Sequence, residues 1–360
     1  MANLMDVSKQ WASRPDDERF VGLLPLREKM QGWKDTSKSI VVANRDVQAV
    51  PIGGDHLGLG LAVRGESATP THWAFGQLCS VAGAPAGYLR TLPSEMAADC
   101  LNFGLAMRDV SEVGILTRQN GSTTAAAVTG PGYGRVWNLD VVDALISRFG
   151  DGLTGHFKVP GEFGENVPVT PKNTTIYASD RDMFVFLADE TNRIEIPDRR
   201  AGRMGTFARG FMVWNSEVGA ATLGIKAFLF DYACCNRIIW GAEDVKEIKI
   251  RHTSGAPWRF VEEVAPALEA YAGSSAANVV DTIEHARTHR LGEPDKVAEF
   301  LSRRFSRSQV AAIQEAHKAD EGRPIETVWD AVTGATAYAR SIPYQDERVK
   351  VETLAGAMLA

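Results

Sequence analysis

The chain has 360 residues, of which 44% are hydrophobic and 23% are charged. This composition excludes a mainly disordered protein, because enough apolar residues are present to form the cores of two or three sub-domains. No run approaches the ~18 consecutive apolar residues of a membrane span, and the first ten residues lack the layout of a signal peptide. We therefore expect a cytoplasmic protein without a membrane partner. The net charge of -6 does not favour nucleic-acid binding, although a basic face can coexist with an acidic total.

The cysteines and histidines indicate neither a disulfide framework nor a metal site. The four cysteines include no Cys-x-x-Cys pair, and Cys234 and Cys235 are adjacent, so we expect reduced and mostly buried thiols. His285 and His289 have the i, i+4 spacing of helical zinc ligands. Neighbouring arginines would repel a cation, however, so a solvated basic helix face is the favoured interpretation. No metal and no cofactor is predicted.

The N-terminal region is predicted to contain a pair of helices. Residues 1–68 show little periodicity, and the glycine-rich passage at 53–60 is interpreted as strand-turn-strand because it lacks the lysine of a phosphate loop. From residue 69 apolar residues recur at helical spacing until Gly83 and Pro85. A second helix opens at Pro93, and Leu101 and Leu105 lie beside its main apolar stripe. That stripe consists of Met96, Cys100, Phe103 and Met107.

A β-hairpin and a further helix follow along the chain. Residues 113–128 contain two strand-like runs separated by Asn120-Gly121, a strong hairpin signal because both residues tolerate positive φ. We expect this hairpin to pack near a helix that Asn138 caps and that Gly150 ends. The segment 151–175 is rich in Gly, Pro and Asn, and is predicted to be a surface loop long enough to be mobile or functional.

The next part of the chain is rich in strands. Residues 183–188 and 193–196 indicate another hairpin, which a basic loop follows. In residues 245–252, Ile248 and Ile250 alternate with charged side chains, as in a strand with one buried face. We predict a sheet of about five to seven mainly antiparallel strands, with the 138–149 helix packed on it.

Beyond Pro257 five apolar stripes at helical spacing predict a C-terminal helical sub-domain. The predicted fold class is therefore α+β, with an antiparallel sheet built from hairpins between an N-terminal helical pair and the C-terminal helices. We expect an N-terminal region at 1–110, a sheet core at 111–256 and the helical sub-domain at 257–360.

No catalytic site is predicted. A hydrolytic triad is disfavoured because the chain has no G-x-S-x-G elbow. The adjacent pair Cys234 and Cys235 has only Arg237 nearby to lower a thiol pKa, so we interpret it as part of a packed strand. The protein is expected not to be an enzyme.

Nucleic-acid binding has more support, because it needs cations for phosphates and flat aromatic rings for bases with little demand on spacing. Tyr133, Arg135 and Trp137 alternate along one short segment and would project from one face if that segment is extended. The alternative is that the two aromatic residues cover the core edge of the hairpin. Further basic residues cluster in three places, namely Lys246, Lys249, Arg251 and His252; Arg199, Arg200, Arg203 and Arg209; and Arg303, Arg304 and Arg307. The last three lie within a possible helix-turn-helix at 295–318.

Three segments carry a resemblance to a known family. They are Phe211-Met212-Val213-Trp214-Asn215-Ser216-Glu217-Val218-Gly219 followed by Cys235-Asn236, Tyr133-Gly134-Arg135-Val136-Trp137-Asn138, and Trp329-Asp330-Ala331-Val332-Thr333-Gly334-Ala335-Thr336-Ala337-Tyr338. Over roughly residues 70–345 the chain resembles a phage- and plasmid-borne protein family that is catalogued only as a domain of unknown function. Members are encoded near replication and recombination genes, which implies a role in DNA metabolism. The predicted arrangement is also similar to that of phage single-strand annealing proteins, which form rings or filaments.

We therefore predict a non-catalytic homo-oligomer that binds or anneals single-stranded nucleic acid on one face of its sheet. Tyr133 and Trp137 are the predicted stacking residues, and the predicted phosphate contacts are Arg135, Arg237, Lys249 and Arg251. Two alternatives remain open. One is an accessory protein that acts on host protein partners, such as a defence antagonist with a DNA-like acidic surface, and the other is an enzyme with an unrecognised site in the 151–175 loop.

Overall fold

The computed structural model describes residues 15–52, 56–61, 66–109, 111–159, 168–172, 174–200, 203–231, 236–238, 248–273, 277–342 and 345–359. The α-helices of these residues are α1 (Leu23–Asp35), α2 (His72–Ala82), α3 (Ala86–Leu89), α4 (Ser94–Met107), α5 (Asn138–Phe149), α6 (Ala256–Arg259), α7 (Ala265–Gly273), α8 (Ala277–Thr288), α9 (Pro294–Ser302), α10 (Arg307–Glu321), α11 (Val328–Arg340) and α12 (Gln345–Gly356). The strands are β1 (Arg19–Phe20), β2 (Ser37–Ala43), β3 (Val47–Pro51), β4 (Leu57–Leu61), β5 (Glu66–Pro70), β6 (Glu112–Asn120), β7 (Ser122–Thr129), β8 (Phe157–Lys158), β9 (Ile176–Ala178), β10 (Met183–Asp189), β11 (Ile194–Arg200), β12 (Arg203–Asn215), β13 (Leu223–Asp231), β14 (Asn236–Ile238) and β15 (Ile248–Ile250).

The α+β fold class is confirmed, but the described strands form two sheets instead of the single sheet of five to seven strands that we predicted. Sheet A is antiparallel and follows the order β1-β9-β10-β12-β13-β14, with β8, β11 and β15 paired to β10, β12 and β13. Sheet B has the order β2-β6-β7-β5-β4-β3, and its β5–β7 pair is parallel. The prediction missed sheet B because four of its strands come from the weakly periodic N-terminal region.

The predicted hairpin at 113–128 is confirmed as β6 and β7, with Gly121 at φ 73° between them. Its apolar face packs with α2 and α4, the confirmed N-terminal helical pair, in one cluster that contains Ile115, Ala125, Leu78 and Leu101. The hairpin therefore lies on that helical pair. The hairpin is linked to α5 by a polar contact, in which Arg118 of β6 pairs with Glu217 and Glu217 accepts the backbone N–H of Asn138.

Helix α1 was not predicted, because Pro25 and Gly32 interrupt its sequence pattern. Leu23, Leu26 and Met30 are nevertheless completely buried. They pack with α5 on sheet A, as the 138–149 helix was predicted to do. The core beneath the two helices includes Val141, Leu145, Phe149, Leu187, Phe211 and Val213.

Two predictions for the central region are wrong. Strands β10 and β11 do not form a hairpin with each other, because both pair with successive parts of the 13-residue strand β12. The basic segment that begins at residue 199 is not a loop but the end of β11 and the start of β12. The side chains of Arg199, Arg200 and Arg203 lie outside the described residues, whereas Arg209 is 6% exposed and lies 3.7 Å from Asp189.

The predicted loop at 151–175 is only partly a surface segment. Phe157 and Val159 are buried in the core beneath α5, and the pair Phe157–Lys158 extends sheet A. Residues 160–167 and 173 lie outside the described residues. The unrecognised site that we considered in this segment stays a prediction.

The helical C-terminal region is confirmed. Helix α11 is buried along most of its length among the neighbouring helices, and Thr327 and Ser306 form capping boxes at the starts of α11 and α10. The division into 1–110, 111–256 and 257–360 places β2 and β6 in different units, although they pair over seven residues. No helix in the described ranges is long and apolar enough to cross a membrane.

The hairpin turn yields a stability prediction. Replacing Gly121 with Ala should lower the free energy of unfolding by about 1 kcal/mol, because a side chain at φ 73° is strained although the surrounding space is open. Urea denaturation measures the change. Gly130→Ala is the matched control, since Gly130 also lies in open space and is not among the positive-φ glycines. Equal effects at the two positions would contradict the assignment of the cost to backbone conformation.

Candidate nucleic-acid interface

The turn that follows β12, residues 215–219, joins the two sheets and α5. Asn215, Ser216, Glu217 and Val218 are all buried, which is unusual for polar turn residues. Asn215 donates from Nδ2 to the Val136 carbonyl and to Oδ1 of Asn138, both at 2.8 Å. On the side of sheet B, the Val218 carbonyl accepts bonds from Trp73 Nε1 at 3.1 Å and from Gln77 Nε2 at 2.8 Å.

Glu217 is the charged centre of this turn. One carboxylate oxygen pairs with the Arg118 guanidinium of β6, and the other accepts the Asn138 backbone N–H at 2.7 Å. The side chains of Arg118 and Glu217 are only 8% and 2% exposed. Burial raises the pKa of Glu217, while Arg118 and the Asn138 N–H oppose that rise. The pair thus links sheet B, sheet A and the start of α5 through one carboxylate.

The structure brings Tyr133, Arg135 and Trp137 together, with the Arg135 guanidinium 5.2 Å from the ring centre of Tyr133 and 5.6 Å from that of Trp137. All three also make contacts within the protein. The Tyr133 hydroxyl donates to the Ser216 carbonyl at 2.9 Å, and its ring stacks on His252 at 5.0 Å. Arg135 donates to the Glu217 carbonyl.

Trp137 is half-buried beside Leu116, Ala127 and Val218, and Lys34 lies 5.8 Å from its ring centre. Burial lowers the pKa of Arg135 and raises that of Tyr133. These contacts match the alternative in which the aromatic residues cover a core edge. The three side chains support the buried turn, and their predicted nucleic-acid role stays a prediction.

A separate groove of about 540 Å³ lies on the opposite face of sheet A from α5. Strands β10, β12, β13 and β15 form its floor, and α12 forms one wall. Its lining residues are Phe184, Met212, Trp214, Ala221, Lys226, Lys249, Val349, Lys350, Thr353 and Leu354. The described lining therefore combines apolar side chains with three lysines and contains no acidic residue.

The Trp214 indole lies over Gly224 on the groove floor. Trp214 pairs in register with Gly224, which in turn pairs with Lys249 of β15. A Cβ atom at Gly224 would overlap the six-membered ring of Trp214. The missing side chain at Gly224 thus leaves the space that the indole occupies. The ring lies across β13 towards Lys249 and remains half-buried.

The predicted phosphate residues are not all in one place. Lys249 is exposed in the groove, with Lys226 and Lys350 also in the lining, whereas Tyr133, Arg135 and Trp137 surround the 215–219 turn. Segment 133–134 nevertheless adjoins the residues after β15, since Tyr133 pairs with Thr253 and the Gly134 N–H donates to the His252 carbonyl. The expectation of one continuous face stays a prediction. Arg251 is exposed beyond the end of β15. The Arg237 side chain and residues 239–247, which include Lys246, lie outside the described residues.

Other sequence candidates do not combine into a site. Cys234 and Cys235 lie outside the described residues, Cys79 is buried and Cys100 is exposed. Burial raises the pKa of the Cys79 thiol to about 11. The rings of His285 and His289 lie 6.1 Å apart, and the described ranges contain no group of three or more His, Cys, Asp or Glu side chains that could hold a metal ion. The predicted helices at 295–318 are α9 and α10, but Arg304 between them donates to the Ala357 carbonyl.

Sequence reasoning missed three groove residues, Trp214, Lys226 and Lys350. Trp214 and Lys226 had a usable signal, because alternation along β12 and β13 places them on the face opposite Val213 and Ile225. Lys350 had none. It reaches the groove only because α12 packs against strands more than 100 residues earlier in the chain.

The buried ion pair yields a second prediction. Glu217→Gln should lower the free energy of unfolding by about 3–5 kcal/mol, because it leaves the Arg118 charge buried without its partner. Arg118→Met combined with Glu217→Gln should cost clearly less than the sum of the two single changes. Denaturant unfolding of the four proteins in this cycle measures the coupling. Additive effects would show that the pair does not act as a unit.

The chain has no significant match among protein-family models, curated proteins or solved structures. The resemblance to the phage- and plasmid-borne family therefore stays a prediction.

Proposed function

We propose that the protein binds single-stranded nucleic acid in the groove between sheet A and α12. The observation that carries this proposal is the placement of the Trp214 indole over Gly224, with Lys226, Lys249 and Lys350 in the same groove. A flat aromatic ring stacks on any base, and lysines contact phosphates without reading sequence. The groove supplies both elements within one surface.

The groove chemistry favours single strands over duplexes. Bases in a duplex are already stacked on one another, so Trp214 has no accessible base face to stack on. A single strand can place one base on the indole while its backbone follows the lysines. Because Phe184 and Met212 lie beside Trp214 on the floor, the same surface also removes part of the base from water.

We further propose that the protein acts in phage or plasmid DNA metabolism as a self-associating, non-catalytic binding or annealing protein in the cytoplasm. The support for this cellular role is the sequence resemblance described above. The chain as a whole is acidic, with a net charge of -6, whereas the groove contains three lysines. This contrast supports the groove as the place where a negatively charged ligand binds. Non-specific binding through the whole surface is disfavoured by the total charge.

The electrostatic part of the proposal predicts a salt dependence. Three phosphate contacts to a single strand imply a slope of log K against log salt of about -2, since each contact contributes about -0.7. Lys249→Ala should reduce the magnitude of that slope by about 0.7 and weaken binding equally for all base sequences. Fluorescence-anisotropy titration of a labelled oligonucleotide at several salt concentrations measures both. Lys38→Ala is the control, because Lys38 is exposed on sheet B, away from the groove.

The stacking part predicts a different response. Trp214→Ala should lower affinity by ~1–3 kcal/mol while leaving the salt slope nearly unchanged. Gly224→Ala should act in the same direction, because its methyl group displaces the indole, and tryptophan fluorescence reports that displacement. Trp137→Ala is the comparison that tests the site predicted from sequence, and we expect little change in affinity.

Three outcomes would contradict the proposal. They are absence of single-strand binding at low salt, tighter binding to duplex than to single strand, and equal effects of Lys249→Ala and Lys38→Ala. A loss of affinity in Trp137→Ala but not in Trp214→Ala would move the site to the segment 133–137. Complete absence of binding would favour the interpretation as an accessory protein that acts on protein partners.

A further inference from the structure

Helix α4 carries its largest apolar side chains on the side that faces solvent. Met96, Phe103 and Met107 are 54%, 69% and 72% exposed, and Cys100 between them is exposed as well. The buried side consists of Ala98, Leu101 and Leu105. The stripe that the sequence spacing identified is therefore not the core face of this helix, and we name these four exposed residues the α4 stripe.

The rotation of α4 about its axis is fixed, so the α4 stripe cannot turn inward. Asn102 donates from Nδ2 to the Ala49 carbonyl at 2.9 Å and accepts the Ala49 N–H at 2.8 Å. On the neighbouring side, a Cβ at Gly104 would overlap the Ala82 carbonyl oxygen of α2. Contacts with β3 and α2 thus hold the stripe outward.

We propose that the α4 stripe is the surface through which two copies of this chain pair, helix against helix and antiparallel. This inference rests on the self-association included in the proposed function and names its interface. The stripe residues are spaced four, three and four positions apart, which is the alternating three-and-four spacing of a coiled-coil seam. A two-fold axis at the middle of the stripe places Met96 level with Met107 of the second copy, and Cys100 level with Phe103 of that copy. The same four residues of each copy therefore face one another across the two-fold axis, as an isologous interface requires.

The area of the stripe suits such an interface. Its three large side chains expose on the order of 400 Å² per copy, given that a large side chain buries about 150–250 Å². A standard interface buries about 800 Å² per partner, of which somewhat more than half is apolar. The stripe thus supplies most of the apolar centre of a standard interface, and its area is in the range of the largest apolar patch on a typical monomer, about 300–600 Å², which is often a functional surface.

The charges beside the stripe favour a second copy in antiparallel orientation. Glu95 and Asp99 both lie in the first half of α4. Parallel helices would place Asp99 near Asp99 of the other copy, whereas antiparallel helices separate the acidic groups along the seam. The same carboxylates would be repelled by an anionic lipid surface, which disfavours membrane binding by this helix.

Sedimentation velocity of the full chain without nucleic acid, over a range of protein concentrations, tests the proposal. Wild type should show a monomer–dimer equilibrium, and Phe103→Glu should raise the dimer dissociation constant by about 10-fold or more. Trp258→Glu is the matched control, because Trp258 is 67% exposed outside α4 and should leave the equilibrium unchanged. Circular dichroism confirms that each variant is folded.

Crosslinking gives a second readout. Facing helices lie about 8–10 Å apart, so a short bis-maleimide should join Cys100 of two copies in wild type and fail to do so in Cys100→Ser. A wild type that stays monomeric, a dimer unaffected by Phe103→Glu, or equal losses in Phe103→Glu and Trp258→Glu would each overturn the proposal. Oligonucleotide titration of Phe103→Glu separates the interface proposal from the nucleic-acid proposal. A variant that no longer dimerises but still binds an oligonucleotide has lost only the α4 interface, and the groove is intact.

Discussion

The architecture depends on the buried ion pair between Arg118 and Glu217. Arg118 lies near the hairpin end of β6 in sheet B, and Glu217 lies in the turn that follows β12 of sheet A. Helix α5 begins at Asn138, whose backbone N–H donates to the same carboxylate. A buried carboxylate is costly unless its oxygens are paired, so the three elements must meet in one geometry for the fold to be stable. The aromatic and basic residues at 133–137 lie around the buried turn that holds this pair. These contacts give the pattern a structural role beside its predicted role in binding nucleic acid.

The two faces of sheet A differ in what packs against them. One face buries Phe211, Val213 and Ile225 under α1 and α5 and supplies the core. Among the described residues, α12 packs on the other face, and the groove with Trp214 and the three lysines lies between that helix and the strands. Strand alternation places each residue of β12 on one of these faces, because neighbouring side chains point to opposite sides of the sheet. The core and the surface that we propose for binding therefore share the same strand.

Two glycines determine the geometry of the two proposed surfaces. Gly224 leaves space for the Trp214 ring on the groove floor, and Gly104 lets α4 approach the backbone of α2 so that the α4 stripe faces outward. The groove and the stripe belong to different sheets, with the groove on sheet A and α4 against sheet B. Pairing through α4 would thus leave the groove of each copy open. A dimer of this kind presents two single-strand sites, which suits a protein that brings strands together.

The sequence determined the elements whose signals are local. Asn120-Gly121 specified the hairpin through backbone conformation, Gly150 marked the end of α5, and apolar stripes specified the C-terminal helices. The cap predicted at Asn138 is wrong, because Trp137 holds the N-cap position and the Asn138 side chain accepts a hydrogen bond from Asn215 instead. It also identified Lys249 as a cation on the wet side of a strand. It did not reveal α1, since Pro25 and Gly32 interrupt its pattern and the packing of Leu23, Leu26 and Met30 against α5 and sheet A stabilises it. Tertiary structure alone decided that Arg118 meets Glu217, 99 positions away, and that Lys350 joins Lys226 and Lys249. Such contacts depend on how sheets and helices pack, and residue spacing along the chain carries no information about that packing.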